Sequence, residues 1–344
     1  RPGPATAASR PFGHTNMTGR ACLPASRAAR DNHNDKSRRR ALVAATAALG
    51  AAGSLQSLLL GKAAQEAGGG ILSMLTAAFF ATLVGLCGLT GWMLSSRLRR
   101  DQLRIIRGLQ ARALLTRWEV ALAVVAGVFV ATAQAGLVPR LGVALFTLAF
   151  VTGQAVTGLA ADATGLGGGP QRHLSLSRVL AVALAVFGVA LTSTSAEGRP
   201  ATPGGHAVLG LAVVVGAALA TQQAANGRLA RATNAPAAVA LVNFVLGLIA
   251  TFLVLLALTT AGDQPWPQPE RWWPYAGGLI GAAVVAVTAA AVPRLGVLTV
   301  AIALISGQVV GALAIDVAAT SALPTLASTG GAALVLGGVA LALR

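Results

Sequence analysis

The sequence predicts an all-α membrane protein, with ten transmembrane helices arranged as two inverted five-helix repeats. Three observations carry that expectation. Of 344 residues, 55% are hydrophobic and only 10% are charged, where soluble chains carry about 25% charged residues. Apolar runs of roughly 18 residues or more recur along the chain, the length a helix needs to cross a bilayer. A short charged turn, Val-Pro-Arg-Leu-Gly, occurs twice, from Val138 to Gly142 and from Val292 to Gly296.

Residues 1–40 are rich in Arg, Ala, Pro and Ser, lack apolar periodicity, and are expected to form a disordered basic tail. Ser37-Arg38-Arg39-Arg40 loosely resembles a twin-arginine export signal. Many spans follow it, so it reads as the basic flank of a first, uncleaved helix. Apolar stretches bounded by charge, Gly or Pro then give helices at 41–61, 71–94, 119–138, 143–162 and 179–195, the first repeat (41–195). A second set lies at 206–225, 236–258, 275–292, 297–318 and 324–343, within the second repeat (206–344). In lipid every backbone amide needs a partner inside its own segment, so these runs are read as helices.

The net charge of +16 raises the question of nucleic acid. Placing the loops alternately on two sides of a membrane answers it, because 22 of the 26 Lys and Arg fall on one side and 4 on the other. Basic loops mark the cytoplasmic face, so both termini are expected there, in a multi-pass cell-membrane protein. The excess charge is then an orientation signal rather than a nucleic-acid groove. Arg97, Arg100, Arg104 and Arg107 lie close to one helical stripe, with Ile105, Ile106 and Leu109 away from it. That pattern predicts an amphipathic helix on the anionic inner leaflet, with membrane lipid as its partner.

The repeated turn belongs to a longer repeat. Residues 138–162 and 292–316 are identical at 13 of 25 aligned positions, among them Gly153-Gln154 with Gly307-Gln308 and Asp162 with Asp316. Upstream, Gly50, Gln56, Gly61 and Lys62 align with Gly216, Gln222, Gly227 and Arg228 at an offset of 166 rather than 154, the longer basic loop at 95–118 absorbing the difference. Trp118 then falls opposite Trp272. Five helices per repeat is an odd number, so the second copy enters the membrane from the opposite side. That is the inverted repeat that many secondary transporters use to build a midplane site.

The pattern V-P-R-L-G, then Gly-Gln within a helix, then Ile-Asp at its end resembles the drug/metabolite transporter superfamily, and most closely its YdcZ-type branch. There the five-helix unit occurs singly or fused in pairs. Asn226-Gly227-Arg228-Leu229 and Asn243-Phe244-Val245-Leu246-Gly247 are similar to that branch's N-x-x-L and S-F-x-x-G patterns. In the first repeat Leu60 stands where the Asn would be, and no clear F-x-x-G is found. The resemblance covers about 41–344 and implies the fold and class of small-molecule exporters; the leading expectation is a secondary transporter that exports small metabolites or drugs, with proton coupling as one candidate energy source. A homodimer is compatible with it. A non-transporting membrane protein or a membrane-embedded enzyme is the alternative.

Almost no ionisable side chain lies deep in the spans, where such groups usually mark function. What lies deep is neutral and polar: Gln56, Gln134, Gln154, Gln222, Gln223, Asn243 and Gln308. Gln154 and Gln308 fall near mid-helix and form a symmetric candidate pair, with Asn243, Gln222 and Asn226 as further substrate-contacting residues. Interhelical hydrogen bonding is the plainer reading, worth about 0.6–2 kcal/mol each. Asp162 and Asp316, at opposite helix ends, are candidates for gating or proton coupling, or else solvated terminal carboxylates. Gly153, Gly307 and Gly311 form small-x3-small faces for close helix packing. Cys22 and Cys87 form no metal or disulfide pattern, and the four histidines lie in polar segments. No phosphate loop, zinc motif or catalytic triad is visible, so neither a cofactor nor a catalytic residue is expected.

Overall fold

A computed structural model of the chain describes residues 25–94, 118–171, 173, 175–193, 205–262, 266–267, 271–320 and 326–342. The chain divides into two units, Arg1–Ala41 and Leu42–Arg344, and the second holds nearly all of both repeats. The described residues form ten α-helices and no strand. The first five are α1 (Ala25–Glu66), α2 (Ile71–Leu94), α3 (Trp118–Leu141), α4 (Val143–Thr164) and α5 (Leu176–Ser193). The second five are α6 (Gly205–Thr233), α7 (Pro236–Gly262), α8 (Gly277–Leu295), α9 (Val297–Thr320) and α10 (Leu326–Ala342), with a 3-10 turn, Trp273–Ala276, ahead of α8.

The basic tail expected up to residue 40 overlaps α1, which is helical from Ala25. Eight of the ten helices are long and apolar enough to cross a membrane, whereas the apolar stretches of α5 and α10 are shorter. The surface helix expected at 97–107 lies outside the described residues.

At the repeated turn the helices run three residues further than the bounds 119–138 and 275–292 expected from sequence, so that Pro139 and Pro293 lie inside the last turns of α3 and α8. Helix geometry continues past each proline because Gly142 N–H donates to the Val138 carbonyl (2.8 Å) and Gly296 N–H to the Val292 carbonyl (2.9 Å). The break between helices is therefore a single glycine. Gly142 (φ 77°) and Gly296 (φ 89°) adopt a backbone conformation that L side chains rarely enter, which accounts for the glycine closing each V-P-R-L-G.

Helices from the two repeats pack reciprocally. A Cβ added at Gly153 of α4 would lie 1.9 Å from the Val213 carbonyl of α6, and one at Gly216 of α6 would lie 1.7 Å from the Phe150 carbonyl of α4. The same contact recurs with the repeats exchanged. Gly307 of α9 meets the Ala47 carbonyl of α1 at 1.7 Å, Gly50 of α1 meets the Leu304 carbonyl of α9 at 2.0 Å, and Gly311 meets the Ala51 carbonyl at 2.6 Å. Lipid tails are as apolar as leucine, so helix association rests on such backbone approaches rather than on hydrophobic burial. Helix four of each repeat thus lies against helix one of the other.

Around this frame α4 and α9 share a core of Leu148, Val151, Leu298, Ile302 and Ile305, onto which α5 and α10 also pack. The two short helices meet one another closely, a Cβ at Gly188 falling 2.5 Å from the Gly331 carbonyl and one at Gly338 falling 2.7 Å from the Ala181 carbonyl. The remaining helices, α1–α3 and α6–α8, enclose the centre together with α9.

Candidate functional site

Between those helices lies a chamber of about 120 Å³. Its wall carries one carboxamide from each of five helices: Gln56 (α1), Gln134 (α3), Gln222 (α6), Asn243 (α7) and Gln308 (α9). Thr82 and Thr251 add hydroxyls, and the rest of the wall is small or apolar. Among the described residues, no Asp, Glu, Lys, Arg or His lines it. The chamber can therefore offer amide dipoles but no formal charge.

Glycines make room for two of the amides, again symmetrically. Nε2 of Gln222 lies 2.3 Å from where a Cβ of Gly127 would sit, and Nε2 of Gln56 lies 2.8 Å from the corresponding position at Gly281. Gly127 and Gly281 occupy equivalent positions in the repeat, so helix three of each repeat leaves a hollow for the glutamine on helix one of the other. Gln56, Gln134 and these two glycines were not singled out as site residues from sequence. The signal was present, since Gly127 and Gly281 share the offset of 154 that relates the two turns.

Of the five residues expected to contact substrate, Gln222, Asn243 and Gln308 lie on the chamber wall. Asn226 is fully buried one layer behind, where its Oδ1 accepts a 2.7 Å hydrogen bond from Asn243 Nδ2. Gln154 is placed elsewhere: it is 0% exposed, off the wall, and neither side-chain amide atom has a partner. Its repeat mate Gln308 faces the wall beside Gly53, 3.7 Å from that glycine's missing Cβ. At the position equivalent to Gly53 the second repeat carries Leu219, whose side chain occupies the wall on that side.

The carboxylates are placed at the periphery. Asp162 is buried and bonded through both oxygens: Oδ1 accepts from Val297 N–H (2.6 Å), while Oδ2 accepts from Leu298 N–H (3.3 Å) and pairs with Arg178. It caps the positive end of α9 and ties α4 to α5 and α9, and it is neither solvated nor near the chamber. Asp316 lies in α9, and its side chain is outside the described residues. Glu119, at the start of α3, is also buried and pairs with Arg228 Nε of α6 at 3.2 Å, the guanidinium lying 5.9 Å from the Trp118 ring centre. No group of three or more His, Cys, Asp or Glu able to hold a metal occurs among the described residues.

A duplicated helical membrane protein with an uncharged chamber between its repeats belongs to the class of membrane transporters. The chain is a member of the DMT YdcZ family, whose model, described as "Putative inner membrane exporter, YdcZ", matches residues 41–191 and again 207–341. No curated protein matches the chain. A solved crystal structure of a protein is similar to it over 86% of this chain and 96% of that one, with a TM-score of 0.56 and 19% identity. At that identity the likeness shows the fold alone.

Proposed function

We propose that the protein is a secondary transporter that exports small, uncharged molecules through the chamber, moving them by alternating access between the two repeats. The observation that supports this is the five-amide wall, drawn from both repeats and lying where their reciprocal helix contacts converge. All ten helices then cross the membrane, the short α5 and α10 by pairing with one another, and both termini lie in the cytoplasm. Nothing on the wall resembles a catalytic set, which favours transport over chemistry on the substrate.

Flux is the direct test. The purified chain, reconstituted in liposomes and loaded with a panel of uncharged metabolites, should release some of them faster than protein-free vesicles, and a pH gradient of either sign reports on proton coupling. Absence of protein-dependent flux for every compound, with and without a gradient, would overturn the reading. The orientation has its own test in the exposed twins Arg140 and Arg294. With Cys22 and Cys87 replaced by Ala, a cysteine at 140 should react with an impermeant thiol reagent from outside, and one at 294 only after permeabilisation. Labelling of both from one side would remove the inverted topology.

A further inference from the structure

On the reading of the chamber as the substrate site, the geometry points to a paired amide clamp: Gln56 and Gln222 together hold an uncharged, single-ring solute with amide edges on two sides. Both side chains lie on the chamber wall, and their Nε2 atoms rest against Gly281 and Gly127, which line it too. Among the described residues nothing hydrogen-bonds either amide head, and none of the head atoms is sealed in the interior. Asn243 and Gln308 differ. Asn243 Nδ2 is tied to Asn226 Oδ1 and to the Val239 carbonyl, while Asn243 Oδ1 and Gln308 Oε1 are sealed without a partner. The open heads are therefore the groups that an entering solute meets.

The two heads are repeat mates at the offset of 166 and share no helix, Gln56 lying on α1 against α8 and Gln222 on α6 against α3. They reach the solute from two stretches of wall related by the repeat. Gln134 is a third open head, but its mate Thr288 bonds the Val284 carbonyl of its own helix, so it has no twin. When the repeats exchange conformations the paired heads exchange places, and the solute keeps the same two contacts.

Chemistry, charge and size narrow the class. A carboxamide carries donors and an acceptor side by side. A solute that meets only one of them leaves the other stripped of water and unpaired. A cyclic amide, with N–H and C=O on one edge, meets both at once. No protein bond fixes which end of either head is nitrogen, so each can turn over to suit the edge offered. With no ionised side chain among the described residues of the wall, a full charge on the solute would lose its water without compensation. The chamber measures about 120 Å³, and an apolar cavity of about 150 Å³ accepts benzene, which limits the solute to a single ring.

The test uses the cyclic dipeptide of glycine, a ring with an amide edge on two sides, and the dione of the same shape in which methylene replaces each N–H. Both are titrated by calorimetry onto the full chain in one detergent, where micelle partitioning is common to all variants and cancels between them. The native chain should prefer the cyclic dipeptide. Gln56→Leu and Gln222→Leu should each lower that preference by about fivefold, the value of roughly one hydrogen bond. Gly281→Ala and Gly127→Ala put a methyl where the two heads rest. They should lower it by a smaller factor, and they serve as the readout if a Leu variant does not fold. An unchanged preference in the folded variants would overturn the clamp, and a loss confined to one of the two heads would overturn the pairing. Tighter binding of benzylammonium or benzoate than of the cyclic dipeptide would overturn the uncharged class. Donor-selective binding without flux would remove the transporter reading and keep the clamp, and flux without donor selectivity would do the reverse.

Discussion

At one end of the molecule Arg228 lies over Trp118 and pairs with the buried carboxylate of Glu119. At the other, Lys62 takes the repeat-equivalent place and lies 5.7 Å from the ring centre of Trp273, but Trp273 itself stands where the acid would be. The first end also carries the Asp162 cap on α9, so two buried carboxylates of the first repeat reach into the second there. The second end offers Glu66 and Arg271 at 3.9 Å, both partly exposed, a pair of the kind worth about 0–1 kcal/mol. Among the described residues the backbone contacts of the two repeats are alike and the acid–base pairs at the two ends differ, the side chain of Asp316, the repeat mate of Asp162, lying outside them.

The backbone side of that comparison predicts the largest effects. Gly216→Ala and Gly307→Ala each drive a methyl into a carbonyl at 1.7 Å, and the opposing atoms are backbone that cannot rotate away. Each should cost about 3 kcal/mol or more, read as loss of the folded fraction in detergent or a large fall in melting temperature. Gly210→Ala and Gly337→Ala, where nothing lies within 4 Å, should be neutral or stabilising by up to about 1 kcal/mol. Because the contacts are reciprocal, the two damaging changes should cost similar amounts. A tolerated change at either position would show that one crossing is looser than drawn and would break the symmetry of the frame.

The charged ends predict smaller and unequal effects. Glu119→Gln removes a buried charge whose partner side chain is still 43% exposed, so water softens the loss to about 1–2 kcal/mol rather than the larger cost of a fully buried pair. Lys62→Met removes only a cation over a ring and should cost below about 1 kcal/mol. Thermal unfolding of the two variants side by side decides the matter, and equal losses would mean that the carboxylate adds nothing to that end.

Much of this arrangement is visible in the sequence, because the signals that survive duplication are backbone requirements. Glycine at 142 and 296, and at 153 and 307, is dictated by a positive φ or by a neighbouring carbonyl, and such needs read out as repeated letters. Two other features depend on partners that spacing does not reveal. Asp162 looks like a solvated helix end until Val297 N–H, far along the chain, is seen to take its oxygen. Pro139 looks like the residue that stops its helix until Gly142 is seen to continue the hydrogen bonding past it. The amide ring was legible as a set of deep polar residues. Which members face the chamber was not, because that turns on the neighbouring side chain rather than on the amide.

Gln154 and Gln308 make that last distinction testable. In sequence the two are equivalent, each following the glycine that packs helix four on helix one of the other repeat. In space Gln308 lies on the chamber wall next to Gly53, while Gln154 is fully buried off that wall, and Leu219 stands at the repeat position of Gly53. Gln308→Leu removes a wall amide and should reduce flux of any transported solute by about fivefold or more, the loss expected for roughly one hydrogen bond. Gln154→Leu replaces an amide that has no partner at either atom with a group of similar size that needs none. Removing an unsatisfied polar group in favour of an apolar one is neutral to stabilising, so flux should stay within about twofold of native and the melting temperature should hold or rise. Flux assays on the pair, normalised to inserted protein, separate the outcomes. Equal loss of flux in both would mean that Gln154 reaches substrate in another state of the cycle, and that the asymmetry of the wall belongs to one conformation rather than to the protein.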